Sequence, residues 1–365
     1  MTPLNAHLIV AARPNIMKIA PLYHELSAQT WCRPSIVHTG QHYDSNMSDA
    51  FFRDLRLPIP HFHLNIGSGT HAEQIGGVMI AYEKVALSER PDCLIVVGDV
   101  NSTAACAMVG AKLRVPVVHL EAGLRSGDRR MPEEINRLVT DAISDVLWTP
   151  SPDATENLVK EGVSPEKIDF VGNIMIDSYE MLREAIRADD TSRRFGLADK
   201  KYAVVTLHRP SNVDNRQVMV RLVDQLIAAG REIDLIFAVH PRTRKRIEEF
   251  GLLSSLEHCS RIKLTEPLAY IQFMNLVRGA AAVVTDSGGV QEETTYLGIP
   301  CLTLRENTER PITITAGTNR LVATDDLLIA MRAAISGGWR GGKQPEKWDG
   351  RTAARCAAAL HGRFG

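Results

Sequence analysis

The chain has 365 residues, of which 44% are hydrophobic and 23% charged, and its formal net charge is −1. A nearly neutral chain has no bulk attraction for nucleic acid or for an anionic membrane surface, so we expect neither as a partner. The length exceeds what one hydrophobic core usually serves, which predicts two domains. Six scattered cysteines without a CxxC pair predict neither a disulfide framework nor a zinc site. No leader or membrane-spanning run is visible, so we expect a cytoplasmic protein.

The first elements are a strand from His7 to Ala12 and a helix over NIMKIAPLYHEL. Arg13 and Lys18 flank the turn between them. An anion at this helix N-terminus would meet backbone N–H groups and both cations, although two solvated surface cations are the alternative. A second strand, 35–38, and a third, 62–66, precede a glycine-rich loop and a helix over 67–85. Those glycines do not form a dinucleotide-binding fingerprint.

The stretch from 94 to 137 reads as strand, helix, strand, loop and helix. The all-apolar run 94–97 is typical of a buried parallel strand, and it ends at Gly98 and Asp99. Ser102 is expected to cap the helix that follows. A second apolar strand, 117–120, is predicted to end at Glu121.

Three carboxylates of this stretch, Asp99, Glu121 and Glu133, are predicted to lie at one edge of a parallel sheet. Ligands bind beyond the carboxyl ends of the strands in such sheets. Carboxylates that lie close together with arginines form acid–base sites, because burial and like charges separate their pKa values. A helix cap or an arginine partner would explain any one of the three, but three together favour an acid–base site.

A second strand–helix series begins at Tyr202, and two of its strands end at His208 and His240. Both histidines precede basic residues and could act as acids or donate to a phosphate, although a single strand-end histidine is more often structural. The turn TDSGG at 285–289 precedes a helix and predicts a diphosphate site, with a tight strand–helix turn as the alternative. Arg310 is a candidate phosphate ligand or a partner of a loop carboxylate.

The alternation of strands and helices predicts an α/β protein with two doubly wound, Rossmann-like domains that face a cleft. We expect the domains to span residues 1–172 and 173–349, with the C-terminal helix of about residues 350–365 packing back on the first. A nucleotide-linked group is expected in the cleft, with its reactive end against the three carboxylates. No metal is needed if arginines and helix N-termini carry the diphosphate charge.

Seven motifs in this order make the chain resemble the non-hydrolysing UDP-N-acetylglucosamine 2-epimerase family. They are ARPNIMKIAP, TGQHYD, GDVNST, HLEAGLRSGDRRMPEEINR, TLHRPSNVDN, DSGGVQEE and TERP, between about residues 8 and 325. The resemblance implies a GT-B fold, a cytoplasmic homodimer, no cofactor and a UDP-sugar substrate. It also implies reversible conversion of UDP-N-acetylglucosamine to UDP-N-acetylmannosamine, in which UDP is eliminated to leave a glycal and is then added back.

The resemblance further implies roles for individual residues. Catalytic positions are matched by Asp99, Glu121, Glu133, Arg137 and His208. UDP-binding positions are matched by Arg13, Lys18, His240, Phe273, Ser287, Gly288, Gly289, Glu293 and Arg310. An allosteric site for a second substrate molecule is matched by Gln41, His42, Gln74 and Arg209. The chain departs from the family at Leu268, where some members have a uracil-binding Gln, and at Glu73, where an arginine is expected.

Several other functions are compatible with the same residues. The protein could epimerise another UDP-sugar, such as a UDP-diacetamido-uronate, or be a hydrolysing epimerase that releases free N-acetylmannosamine. A glycosyltransferase would need an acceptor site, and the three carboxylates argue against it. A nucleotide-sugar-binding regulator without turnover is the alternative from another class, but it has no need for three potentially repelling carboxylates.

Overall fold

The computed structural model describes residues 2–40, 52–339 and 341–365, so the predicted site residues Gln41 and His42 lie outside the described residues. The chain forms two compact units, Met1–Met181 with Glu346–Gly365, and Leu182–Pro345. The domain boundaries expected from the sequence stay a prediction, because compactness alone does not show where independently folding domains end. Among the described residues, no helix combines the length and the apolar character needed to cross a bilayer.

The first unit contains a seven-stranded parallel sheet with the strand order β3-β2-β1-β4-β5-β6-β7. Its strands are β1 (Leu4–Val10), β2 (Cys32–His38), β3 (Phe62–His63), β4 (Cys93–Val97), β5 (Val117–Leu120), β6 (Val146–Thr149) and β7 (Ile168–Phe170). The second unit contains a six-stranded parallel sheet with the order β10-β9-β8-β11-β12-β13. Its strands are β8 (Tyr202–Thr206), β9 (Asp234–Ala238), β10 (Ile262–Thr265), β11 (Ala282–Thr285), β12 (Cys301–Thr303) and β13 (Asn319–Leu321).

Helices connect these strands in chain order. They are α1 (Arg13–Ser27), α2 (His71–Glu89), α3 (Asn101–Leu113), α4 (Pro132–Ile143), α5 (Pro152–Lys160), α6 (Ile174–Ala188), α7 (Thr191–Arg194), α8 (Pro210–Val213), α9 (Arg216–Gly230), α10 (Pro241–Glu249), α11 (Leu253–Glu257), α12 (Tyr270–Gly279), α13 (Gly288–Leu297), α14 (Ile312–Thr315), α15 (Leu327–Ile335) and α16 (Thr352–Phe364). The described residues also form two 3-10 turns, Pro165–Lys167 and Thr324–Asp326.

Both sheets reverse their direction of winding at one pair of neighbouring strands. In the first sheet β1 pairs with both β2 and β4, and in the second β8 pairs with both β9 and β11. The predicted fold class of two doubly wound parallel sheets is therefore confirmed. A crevice opens beyond the carboxyl ends of the strands at such a reversal point, and this is where ligands bind in open α/β sheets.

Burial explains why the central strands are continuous apolar runs. All five residues of β4 are at most 1% exposed, because helices cover both faces of a parallel sheet. The last helix, α16, packs against α1. The indole nitrogen of Trp348, just before α16, donates to the Pro150 carbonyl at 3.0 Å. These contacts tie the C-terminal segment to the first unit.

Local details differ from the sequence-based expectations at several places, among them the second strand, which begins at Cys32 rather than at residue 35. The prediction that Ser102 caps its helix is wrong, because Val100 occupies the N-cap position and the Ser102 hydroxyl lies 2.9 Å from the Thr39 hydroxyl. The first strand covers Leu4–Val10 rather than 7–12. Helix α1 begins at Arg13 with Ala12 as its N-cap, so residues 11–12 connect the strand to the helix. The third strand is limited to Phe62–His63, where its pairing with β2 ends.

Candidate active site

Lys18 and Glu121 form a buried ion pair at the carboxyl edge of the first sheet. Lys18 is one turn inside α1, and Glu121 directly follows β5. The two residues are 7% and 3% exposed. A carboxylate this far from water needs a countercharge, and Lys18 supplies it. Arg13 begins α1, but its side chain lies outside the described part of the chain.

Gly98 makes room for this ion pair. It has a φ of +69°, and a Cβ placed on it would lie 3.3 Å from Glu121 Oε2 and 3.4 Å from Lys18 Nζ. Asn15 holds the same corner, because its Nδ2 donates to the Val97 carbonyl at 3.0 Å. Glu121 itself has a φ of +71°. That left-handed backbone costs about 1–2 kcal/mol for a residue with a Cβ, and such strain concentrates at functional sites.

Asp99 follows β4 at the reversal point and forms an ion pair with Arg137 of α4. The guanidinium of Arg137 also contacts Glu134, with Nη2 2.6 Å and Nε 3.0 Å from Oε2. Arg137 is almost fully buried, whereas 31% of the Asp99 side chain remains exposed. Asp99 is therefore a carboxylate that is fixed on one side and accessible on the other.

Glu134, which was not predicted as a site residue from the sequence, is buried, whereas its neighbour Glu133 is exposed. Glu134 accepts hydrogen bonds from the backbone N–H groups of Ser126 and Gly127 at 3.0 and 2.9 Å. Burial acts to raise the pKa of Glu134, but the hydrogen bonds from Ser126, Arg137 and Gly127 hold it below the ordinary value. The spacing of three residues between Glu134 and Arg137 is a helical contact spacing and was the available signal.

His119 and Asp141 form a second buried pair that the sequence analysis did not identify. His119 Nδ1 lies 2.6 Å from Asp141 Oδ1, and its Nε2 lies 2.9 Å from the Gly98 carbonyl. Asp141 also accepts from Arg125 Nη1 at 2.7 Å. Burial acts to raise the pKa of Asp141, but His119 and Arg125 lower it below its ordinary value. Through the contact of His119 with the Gly98 carbonyl, this network fixes the backbone of the Gly98–Asp99 turn.

Gln74, a predicted allosteric residue, is connected to the Asp99 loop through two asparagines. Its Oε1 accepts from Asn101 Nδ2 at 2.8 Å, and Asn136 Nδ2 lies 3.2 Å from Asn101 Oδ1. Asn136 also donates to the Asp99 carbonyl at 2.9 Å. Glu73 stands where the family resemblance implied an arginine, and its carboxylate accepts from Thr70 N at 2.8 Å. Glu73 and Thr70 form the capping box of α2, which explains an acidic residue at this position.

Four of the predicted site residues of the second unit line one pocket. It lies at the carboxyl edge of the second sheet, and its lining residues are Thr206, His208, Ala238, His240, Pro267, Leu268, Phe273, Ser287 and Val290. The imidazole rings of His208 and His240 lie 5.5 Å apart between centroids. An aromatic ring and apolar side chains beside two imidazoles suit a flat heterocycle with polar substituents. Leu268, the position that departs from the family, lies in this wall.

Arg310 is buried next to Gly288 and pairs with carboxylates, Glu309 of its own loop among them, as the alternative interpretation expected. Its Nε lies 2.8 Å from Glu292 Oε1, and its Nη1 lies 2.5 Å from Glu309 Oε1. A Cβ on Gly288 would come within 2.6 Å of Arg310 Nη1, so only glycine leaves the guanidinium this position. Ser287 and Gly289 flank Gly288 at the start of α13, whose N–H groups favour an anion.

Glu293 is buried one turn into α13, and its Oε1 accepts a hydrogen bond of 2.7 Å from the Tyr270 hydroxyl. Burial raises the pKa of Glu293 to about 8. Arg209, the remaining predicted residue of this unit, donates from Nε to the Asp286 carbonyl at 3.0 Å. The second unit therefore combines an apolar pocket, two imidazoles and a glycine turn with a fixed guanidinium.

A family model described as UDP-N-acetylglucosamine 2-epimerase matches residues 24–361 of this chain. A UDP-N-acetylglucosamine 2-epimerase of Methanocaldococcus jannaschii is 45% identical over 320 residues, which cover 86% of this chain and 87% of that protein. A UDP-2,3-diacetamido-2,3-dideoxy-D-glucuronate 2-epimerase of Pseudomonas aeruginosa is 39% identical over 326 residues, covering 88% and 89% of the two chains.

Comparison with solved structures identifies relatives from the same family. The crystal structure of M. jannaschii UDP-GlcNAc 2-epimerase in complex with UDP-GlcNAc and UDP matches with a TM-score of 0.88 and 41% identity. The match covers 98% of this chain and 99% of that one. A family model that spans most of the chain and relatives above 40% identity agree with the motifs and with the two sheets. The chain belongs to the UDP-N-acetylglucosamine 2-epimerase family, an isomerase family.

Proposed function

We propose that this protein interconverts UDP-N-acetylglucosamine and UDP-N-acetylmannosamine without hydrolysing the nucleotide sugar. The observation that carries the proposal is the pair of strand-end carboxylates Asp99 and Glu121, each fixed by one cation at the reversal point of the first sheet. C2 of the sugar carries a weakly acidic proton, so its removal requires a positioned base. Carboxylates with fixed partners meet that requirement.

The reaction is assigned in two balanced steps. In the first, a carboxylate takes the C2 proton, the C1–O bond to the diphosphate breaks, and UDP and a glycal form. In the second, the diphosphate oxygen bonds again to C1 while C2 receives a proton on the opposite face. Two acid–base groups are needed for the two faces, and the carboxylates Asp99, Glu121 and Glu133 provide them, with Arg137 holding Asp99 and His208 as a further proton-transfer group.

Departure of UDP requires stabilisation of the charge that develops on the diphosphate. We assign UDP binding to Arg13, Lys18, His240, Phe273, Ser287, Gly288, Gly289, Glu293 and Arg310. Phe273 lines the pocket of the second unit and is assigned to the uracil. The N-terminus of α13 and the Arg310 guanidinium are assigned to the diphosphate. Glu293 is assigned to the ribose hydroxyls, and a homodimer in the cytoplasm is the proposed state of the protein.

A second candidate substrate is a UDP-diacetamido-uronate, which the 39% identity to the P. aeruginosa epimerase favours. Both substrates share the UDP group and the C2 chemistry, and they differ in the sugar substituents. The site residues named above act on the common parts of the two molecules. The two candidates are therefore separated by direct comparison of turnover.

The test is incubation with UDP-N-acetylglucosamine in heavy water, followed by proton NMR. We expect UDP-N-acetylmannosamine with deuterium at C2 of the sugar. Free N-acetylmannosamine together with UDP would instead assign the protein to the hydrolysing epimerases. An unchanged spectrum with UDP still bound, followed by turnover of a UDP-uronate, would assign the second candidate. No turnover of either sugar would contradict the proposal and leave a nucleotide-sugar-binding protein.

A further inference from the structure

Asp286 is a fully buried carboxylate at the reversal point of the second sheet. It directly follows β11 and precedes Ser287. Its Oδ1 lies 3.0 Å from His208 Nδ1. The backbone N–H groups of His208 and Arg209 donate to Oδ2 at 3.0 and 2.9 Å. Because β8 and β11 are paired neighbours, the residues after each strand meet at this point.

Asn212 completes the surroundings of this carboxylate. Its Nδ2 donates to Asp286 Oδ2 at 3.0 Å and to the Leu304 carbonyl at 2.9 Å. Asn212 cannot reverse its amide, because its oxygen would then face the Leu304 carbonyl and the Asp286 carboxylate. Oδ2 of Asp286 therefore accepts from three groups that can only donate, the N–H groups of His208 and Arg209 and the Asn212 amide.

The surroundings of Asp286 favour an ionised carboxylate, because three N–H groups donate to its Oδ2. Burial acts to raise the pKa of Asp286, but the hydrogen bonds from His208, Asn212 and Arg209 hold it below the ordinary value. An ionised carboxylate can only accept, so His208 Nδ1 must carry the hydrogen. The remaining ring nitrogen, Nε2, is then the one available to a ligand, and 41% of the His208 side chain is exposed in the pocket.

We propose that Asp286 is a positioning residue, which fixes His208 as the Nδ1–H tautomer and thereby presents Nε2 to the bound nucleotide sugar. The inference rests on the proposed function in assigning His208 to the reaction. Asp286 acts through His208 and has no contact of its own with the substrate. Ser287 directly follows Asp286, so the residue that contacts His208 is adjacent to the glycine turn.

The variant Asp286→Asn distinguishes orientation of His208 from a purely structural role, in which Asp286 only stabilises the loop after β8. Its amide oxygen must stay on the Oδ2 side, because Arg209 N–H and the Asn212 amide both donate there. Its NH₂ group then faces His208 Nδ1 and donates to it, so that the hydrogen moves to Nε2. The His208 N–H donates to both carboxylate oxygens, at 3.1 Å to Oδ1 and 3.0 Å to Oδ2, and in the variant it keeps the bond on the Oδ2 side. We therefore expect the shape of the site to be retained while the tautomer is reversed. Loss of the correct tautomer in a carboxylate–histidine pair lowers kcat by about 10⁴-fold in the best-studied case.

The experiment uses the full chain labelled with ¹⁵N-histidine, and a His208→Gln variant assigns the His208 signals. We expect the Nδ1–H tautomer in the wild-type protein and the Nε2–H tautomer in Asp286→Asn. We also expect kcat for UDP-N-acetylglucosamine to fall by about 10²–10⁴-fold in Asp286→Asn, with a UDP dissociation constant within about threefold of the wild type. The matched control is Asp234→Asn, an exposed carboxylate paired with Arg261 at 2.7 Å, at the opposite edge of the sheet.

Three results would overturn the proposal. The first is an Nε2–H tautomer in the wild-type protein, a measurement that needs no folded variant. The second is a reversed tautomer in Asp286→Asn with unchanged kcat. The third is an Asp286→Asn variant that loses both UDP binding and turnover while the His208 tautomer stays the same. That result would show that Asp286 only stabilises the loop after β8. Full turnover by His208→Gln would instead remove His208 from the proposed function, and the tautomer measurement would still decide whether Asp286 orients it.

Discussion

Lys18 and Glu121 are 103 residues apart in the sequence, yet they form a buried ion pair at the carboxyl edge of the first sheet. The pair exists because β1 and β4 are neighbours and β5 lies beside β4. Residues that follow these strands therefore meet at one corner. Gly98, between them, leaves the space that the two side chains fill.

Replacement of Lys18 by Met should destabilise the protein, because Glu121 would stay buried without the countercharge of Lys18. Removing one partner of a buried pair typically costs about 3–5 kcal/mol. Urea unfolding of Lys18→Met, Glu121→Gln and the double variant measures the coupling. The double variant should be more stable than Lys18→Met. A double variant as unstable as the sum of both single variants would show that the two residues do not interact energetically.

Asp99→Asn and Glu121→Gln should each abolish turnover while UDP still binds, since an amide cannot exchange a proton with C2. Turnover is followed by the deuterium NMR assay and UDP binding by calorimetry. Glu156→Gln is the control, because Glu156 is exposed and paired only loosely with Lys160 at 3.5 Å. Wild-type activity in Asp99→Asn or Glu121→Gln would contradict the catalytic assignment of that residue.

Arg310→Ala should weaken UDP binding by about 1.5–3 kcal/mol, the value of a lost charged hydrogen bond. The structure adds a second effect, because Arg310 neutralises the buried Glu292 and Glu309. The free energy of unfolding should therefore fall as well. Adding Glu292→Gln to Arg310→Ala should restore stability without restoring UDP affinity. An unchanged UDP dissociation constant in Arg310→Ala would remove Arg310 from the nucleotide site.

Two neighbouring glycines should respond differently to alanine. The Cβ of Gly288→Ala would come within 2.6 Å of Arg310 Nη1 and 2.7 Å of Glu309 Oε1, which forces a buried ion pair to move. This variant should lose thermal stability without any ligand. A Cβ on Gly289 meets no described atom within 4 Å, so Gly289→Ala should retain stability and lose UDP affinity. Equal melting temperatures for the two variants would contradict this distinction.

Glu293 should make stability depend on pH. Its pKa of about 8 in the folded protein lies above the ordinary value of about 4.5, because it is buried. The unfolded state therefore loses this proton at lower pH than the folded state does. Stability should be highest below the unfolded pKa and should fall as pH rises from about 4.5 to about 8. Urea unfolding at pH 5 and pH 8 should show the decrease in the wild type and a smaller one in Glu293→Gln.

The fold could be predicted to a large extent, since buried parallel strands must be apolar on both faces and helices must alternate with them. The strand ends were also predictable, which is why Asp99, Glu121, His208 and Asp286 were all placed near turns. The ends of individual strands and helices were harder to predict. A residue such as Ala11 fits the end of a strand or the segment before a helix equally well. The cap assigned to Ser102 failed because Thr39, which is distant in sequence, bonds its hydroxyl.

The sequence did not determine which of Glu133 and Glu134 is buried. Both follow Pro132 in the first turn of α4, and helical periodicity alone did not say which faces the protein. Packing buries Glu134 against Arg137 and leaves Glu133 exposed. The functional assignment of Glu133 came from its expected place beside Asp99 and Glu121 and from the family motif, and it stays a prediction.

The sequence by itself determined the alternating α/β architecture, the strand-end positions of the polar residues and, through seven ordered motifs, the family. These features depend on local burial patterns and turn chemistry, which are written along the chain. Only the tertiary structure decided the strand orders, and with them the pairings of Lys18 with Glu121, Asp99 with Arg137 and Asp286 with His208. Those partners lie far apart in sequence. An ion pair or hydrogen bond requires contact in space, and the order of the strands in the sheets brings these residues into contact.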